Sequence, residues 1–192
     1  MTKLGVLALQ GAFREHCEVL DALGVDAIEV RVPHELDAVD ALLMPGGEST
    51  TMTRLLDTSG LRDPLLERLA AGMPAFGTCA GLILLAREVV DGRPDQDPLG
   101  ALDVIARRNA YGRQAESFEA PLHVDGLTGG TFLGVFIRAP VVESVGSGVE
   151  VLATHGDRPV LVRQGAIWAS TFHPELSGDL RIHQRFLRGV AP

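Results

Sequence analysis

The 192-residue chain has a single lysine, Lys3, and only two cysteines, Cys17 and Cys79. One lysine leaves almost no place for chemistry built on an internal Schiff base. Two cysteines are too few for a disulfide framework, and no Cys/His group has the spacing of a zinc site, so no metal is expected. Acidic residues outnumber basic ones 25 to 17, for a net charge of -8, and no basic stripe appears. Nucleic acid is therefore not an expected partner, because phosphate binding needs clustered positive charge. No apolar run is long enough to span a bilayer, and Met1 to Gly11 lacks the long apolar stretch and cleavage site that export requires. A cytoplasmic location and no membrane partner are the expectation.

At 46% hydrophobic the chain can bury one substantial core, and a single domain over 1–192 is expected. Leu4 to Leu9 is a short apolar run closed by Gln10-Gly11, and Phe13 to Leu23 then shows helical spacing up to Gly24. Ala27 to Val32, Ala41 to Met44 and Ala75 to Phe76 are further short apolar segments, with helical stretches near Thr51 to Leu56 and Leu61 to Ala71 between them. Such alternation predicts a parallel sheet covered on both faces. From Leu102 onward the pattern turns to short strands, among them Thr131 to Ile137, Val149 to Ala153, Val160 to Val162 and Ala166 to Phe172. These read as antiparallel strands flanking the sheet. Asp91 to Gly100 is the expected loop, and Leu180 to Leu187 a closing helix.

Three segments carry chemistry. Gly77-Thr-Cys79-Ala-Gly81 joins a short strand to an apolar helix, the strand-to-helix elbow of hydrolases with Cys in place of Ser. Glycines are needed because the turn is tight, so bulk at Gly77 or Gly81 should not fit. A thiol there meets the positive end of the helix dipole, which favours the reactive thiolate. The plain alternative is a small buried cysteine, which is how Cys17, among apolar residues on a helical face, is read. Later, His173-Pro-Glu175 follows an alternating strand. The proline keeps His173 in an extended conformation, in which residues two apart face one side, so Glu175 can orient the His173 imidazole as a general base. Most of the other five histidines, His34 and His123 among them, read as surface or turn residues. Finally, Pro45-Gly46-Gly47-Glu48-Ser49-Thr50 ends a strand in two glycines before a capped helix. Backbone amides at Gly47 and Ala80 are candidates for an oxyanion hole. Each motif alone has an ordinary structural reading, and their conjunction at strand ends is what points to a site.

Together, Gly-Thr-Cys-Ala-Gly, Pro-Gly-Gly-Glu-Ser-Thr and the late His-Pro-Glu resemble the class I, triad-type glutamine amidotransferases. More closely, Gly5 to His16, Arg108 to Glu119 and Phe136 to Pro140 look like the glutaminase subunits of pyridoxal phosphate synthases. That resemblance spans nearly the whole chain. It implies a flavodoxin-like α/β fold, a three-layer sandwich with a mostly parallel central sheet and added antiparallel strands. It also implies hydrolysis of L-glutamine to glutamate and ammonia by Cys79, His173 and Glu175, with no cofactor in this chain. The implied partner is a synthase barrel subunit that condenses the ammonia with a pentose phosphate and a triose phosphate. By the same resemblance glutamine contacts Gly47, Glu48, Ser49, Arg108, Ile137 and Arg138, and Gln10-Gly11 forms a loop coupled to the partner. Two other readings share these residues: a glutaminase of another biosynthetic pathway, and a catalytically silent subunit that senses glutamine.

Overall fold

The computed structural model describes residues 2–93, 96–108 and 117–190. Its elements, in order, are β1 (Leu4–Leu7), α1 (Phe13–Ala22), β2 (Ala27–Val30), α2 (Pro33–Asp37), β3 (Ala41–Met44), α3 (Ser49–Thr58), α4 (Arg62–Ala70), β4 (Ala75–Thr78) and α5 (Ala80–Leu85). There follow β5 (Ala86–Val90), β6 (Leu102–Arg107), β7 (Ser117–Leu122), β8 (Phe132–Ile137), β9 (Val141–Val145), β10 (Glu150–His155), β11 (Arg158–Gln164), β12 (Ile167–Ser170) and α6 (Arg181–Val190).

Seven strands form the main sheet in the order β10-β11-β12-β4-β3-β1-β2. Leu-Gly-Val-Leu, Ala-Leu-Leu-Met, Ala-Phe-Gly-Thr and Ile-Trp-Ala-Ser are each buried at all four positions. This is the continuous apolar run of a strand covered above and below, where alternation has no solvent face to serve. One apolar layer gathers Met52, Leu56, Leu65 and Leu82, from α3, α4 and α5, with Leu42 and Met44 of the sheet. The other gathers Leu20, Ile182 and Phe186, from α1 and α6, with Val6, Leu43 and Phe76. The result is a flavodoxin-like three-layer α/β sandwich. Smaller sheets, β5-β6-β9 and β7-β8, complete it.

Register decides where the site falls. Ser170 pairs with Thr78, Met44 with Gly77, and β1 runs parallel beside β3. The carboxyl ends of β12, β4, β3 and β1 therefore lie side by side. From them leave the segments carrying His173, Cys79, Gly46-Gly47 and Gln10-Gly11, at the edge where open α/β sheets bind ligands.

Several expectations need correction. Ala166 to Phe172 yields β12, which is not a flanking antiparallel strand: it pairs parallel with β4 and antiparallel with β11. All four of its residues are buried, as the sheet interior requires, which local pattern does not reveal. The helix after the elbow has six residues and passes directly into β5, a strand not anticipated because Arg87 and Glu88 interrupt its apolar run. Pro33–Asp37 forms the short α2 with proline in its first turn, where a missing N–H is harmless. Of the expected loop at Asp91 to Gly100, residues 94–95 lie outside those described, as do residues 109–116 of the motif from Arg108 to Glu119.

Candidate active site

β4 ends in a bend that only small neighbours allow. Cys79 takes φ 51° and ψ -102°, a region an L-residue rarely enters without tertiary support. A Cβ on Gly77 would lie 2.5 Å from the Gly81 carbonyl carbon, and one on Gly81 would lie 2.1 Å from the Met44 oxygen. The expectation that neither position takes bulk therefore holds. The bend leaves the sulfur 3.9 Å from the Ile137 carbonyl oxygen, where β8 closes over it.

His173 arrives from the extension of β12, its amide donating to the Val135 carbonyl at 2.8 Å. Its Nδ1 lies 2.7 Å from Glu175 Oε1, inside the protein. The two meet for a different reason than extended chain: Pro174–Leu176 is a 3-10 turn with His173 as its N-cap. Proline, placed where its absent N–H costs nothing, tightens the turn and brings residue i+2 back under the ring. Burial opposes charge on His173, but hydrogen bonds to Cys79 and Glu175 outweigh it and hold the imidazole protonated up to about 10. Glu175, despite its desolvation, sits below its ordinary value because His16 and His173 together overcome that burial.

Gly46 packs flat against this pair, since a Cβ there would stand 2.3 Å from His173 Cε1. Beside it, Gly11 has φ 93° and the Ala12 amide donates to the Gly46 carbonyl at 2.9 Å, so the first loop clasps the glycine pair. Gln10 Oε1 accepts from the Glu48 amide at 2.8 Å. Glu48 is the N-cap of α3: its carboxylate accepts from the Thr50 and Thr51 amides at 3.1 and 2.7 Å and from the Thr51 hydroxyl at 2.7 Å. Partial burial opposes its charge, but these bonds outweigh it and lower its pKa to about 2. Arg108 bridges from Glu48, at 3.2 Å, to Thr50 and Gln96, at 3.0 and 2.7 Å. Arg138 holds φ 43°, a second strained non-glycine residue at this mouth.

One cavity of about 430 Å³ unites these parts. Gln10, Gly11, Gly47, Glu48, Ser49 and Ala80 line it together with Cys79, Arg108, Ile137, Arg138 and His173, so every residue given a catalytic, oxyanion, substrate or partner-loop role from the sequence lines it except Glu175, which lies behind His173. Ala80 opens α5, where first-turn amides have no acceptor within the helix. Cys17 lies outside the cavity, its thiol pushed up by burial and by Glu29. His34, His123 and His155 are exposed as expected, but His16 and His183 are buried at 0% and 1% exposure and stand behind Glu175. A signal for their burial, though not for their hydrogen bonding, was present: His16 shares a helical stripe with Val19 and Leu20, and His183 lies among Ile182 and Phe186.

Comparison with known proteins identifies the family. A relative from Parafrankia sp. named pyridoxal 5'-phosphate synthase subunit PdxT is 57% identical over 188 residues, covering 98% of this chain and 93% of its own length. A protein of the same name from Mycobacteroides abscessus is 56% identical, covering 96% of this chain and 95% of its own. A crystal structure described as a glutamine amidotransferase superimposes with a TM-score of 0.92 at 55% identity, over 97% of this chain and 98% of the other. A structure of PurLQS from Thermotoga maritima, 15% identical with a TM-score of 0.69 over the whole of both chains, shares the fold alone. With the family model for SNO glutamine amidotransferases matching residues 6–191, nearly its full length, the chain belongs to the SNO glutamine amidotransferase family.

Proposed function

We propose that the chain, as one domain, hydrolyses L-glutamine to L-glutamate and ammonia and passes the ammonia to the synthase subunit of a pyridoxal phosphate synthase. The convergence at neighbouring strand ends of Cys79 and His173 on the wall of one cavity, with Glu175 behind His173, carries this reading. In the reaction the Cys79 sulfur attacks the side-chain carboxamide carbon. The oxyanion that forms is held by the Gly47 and Ala80 amides, each such donor being worth about 3 kcal/mol in a transition state. His173, held as imidazolium, gives its proton to the nitrogen as the C–N bond breaks and ammonia departs. The neutral ring then takes a proton from water, whose oxygen attacks the thioester, and glutamate leaves as the sulfur is released. Glu175 fixes the ring tautomer and supports its positive charge throughout.

Gly47, Glu48, Ser49, Arg108, Ile137 and Arg138 form the glutamine grip, with guanidinium chemistry suited to the substrate's α-carboxylate. Relatives at 52–57% identity named as pyridoxal 5'-phosphate synthase subunits favour that pathway over another glutaminase assembly. The acceptor is a separate barrel subunit docking over the Gln10-Gly11 loop, which shields ammonia from solvent, so the isolated chain is expected to be nearly idle. Cys79→Ala, assayed for glutamate release in complex with the synthase subunit, is expected to lose at least about a thousandfold in rate. Release at the wild-type rate would exclude this mechanism.

A further inference from the structure

Two buried histidines take no part in the chemistry above, yet they stand in file behind it. His16, on α1, and His183, on α6, have ring centroids 5.3 Å apart. His183 Nε2 lies 3.2 Å from His16 Nδ1, and His16 Nε2 lies 3.2 Å from Thr78 Oγ1 and 3.6 Å from Glu175 Oε2. Thr78 Oγ1 is in turn 3.5 Å from Glu175 Oε1, the oxygen that meets His173. The groups facing Glu175 are therefore His16 from α1, with Glu15 adjacent to it, Thr78 from β4, and His173 with Cys79 beyond. His183 of α6 acts through His16.

The direction of the protons follows from one orphan atom. His183 Nδ1 is buried and has no hydrogen-bond partner among the described residues. An unpaired buried N–H is rarer than an under-used lone pair, so the single proton of a neutral ring belongs on Nε2. That Nε2–H faces His16 Nδ1, which must then accept, and His16 carries its own proton on Nε2. His16 in turn donates toward Thr78 Oγ1 and faces Glu175 Oε2, an oxygen with no hydrogen-bond partner among the described residues. The threonine hydroxyl, having accepted, points its proton to Oε1. Burial keeps both rings neutral, lowering His16 and bringing His183 down to about 3. Neutrality matters, because a second imidazolium would repel His173 and compete with it for the carboxylate, whereas aligned dipoles in a dry interior favour the anion without competing.

We propose that His16 and His183 are positioning residues: a neutral two-imidazole relay, both rings in the Nε2–H form, which with Thr78 aims its dipoles at Glu175 and keeps it an anion that orients His173. The relay's geometry stands by itself, and its effect on rate rests on the glutaminase reading. Two-bond ¹H–¹⁵N correlation spectra of the full chain labelled at histidine nitrogen, near neutral pH, are expected to show Nε2 protonated and Nδ1 bare at both rings. A proton on Nδ1 of either ring, or an imidazolium, overturns the relay even if no variant folds. In the complex with the synthase subunit, His183→Phe is expected to lower glutaminase kcat by up to about tenfold, the upper end of one hydrogen bond between neutral groups, with KM for glutamine unchanged. Its acid limb should move to higher pH. His183→Gln, whose amide nitrogen stands where Nε2 stood, should recover most of the rate. Equal rates and pH profiles in all three proteins exclude the positioning role. A wild-type complex without glutaminase activity would instead remove the proposed function and leave the tautomer result standing.

Discussion

Burial and charge pull against each other at each ionisable group of the site, and the outcome differs by residue. His173 gains more from Cys79 and Glu175 than it loses to desolvation, so its folded pKa lies well above the ordinary 6.5. The stability it contributes is fully present below 6.5 and is lost as pH rises toward about 10. His16 and His183 go the other way, lowered by burial, so their contribution is present above 6.5 and is lost as pH falls, for His183 toward about 3. Glu175, also lowered, adds to that acid-side loss. The opposing signs meet near pH 6.5, so Tm measured from about pH 4 to pH 10 is expected to peak between about 6 and 7. His183→Phe should flatten the acid flank of that curve and leave the alkaline flank as it was. A monotonic rise of Tm with pH would show that His173 is not held charged. At this scale the site was legible only in part: Cys79, His173 and Glu175 stood out by motif, while His16 and His183 were hidden, because a histidine on an apolar stripe looks the same whether it is merely packed or hydrogen-bonded.

Among the elements, β4 and its elbow are the most tightly specified, since backbone from β3 passes within contact of Gly81. A methyl group there meets the Met44 carbonyl at 2.1 Å, a backbone atom that cannot rotate away. Gly81→Ala is therefore expected to destabilise the chain by about 3 kcal/mol, at the upper end of overpacking, by forcing the start of α5 away from β3. Chemical denaturation checks it, and a loss below about 0.5 kcal/mol would mean that the elbow has slack. Helices α1, α3, α4 and α6 and strands β1 to β4 fell within a few residues of their apolar patterns, because in each the buried stripe or run is local in sequence. β5 and the parallel pairing of β12 were not legible. Which neighbour a short apolar strand chooses depends on residues some 90 positions away, and a charged edge strand carries little period to read.

Over the whole molecule, the mouth of the cavity combines Gln10, Gly11 and Leu176, and Leu176 is one of only two large hydrophobic side chains that stand exposed among the described residues. On the proposed function, a subunit docking over this mouth would cover Leu176. Leu176→Glu is expected to weaken binding to the synthase subunit by about tenfold or more, the scale of a hot-spot contact, measured by sedimentation. Labelling of Cys79 by a thiol-directed glutamine analogue should persist at saturating partner. Unchanged affinity would place the interface elsewhere.

The sequence alone determined composition, the elbow, the glycine pair and the pairing of His173 with Glu175, since each depends on residues close to one another in the chain. Only the tertiary structure decided that β12 lies beside β4, that a 3-10 turn rather than extended chain unites His173 with Glu175, and that two further imidazoles stand behind them. Those outcomes depend on packing between segments as much as 167 residues apart, where burial, rather than local propensity, selects the partner and sets the charge.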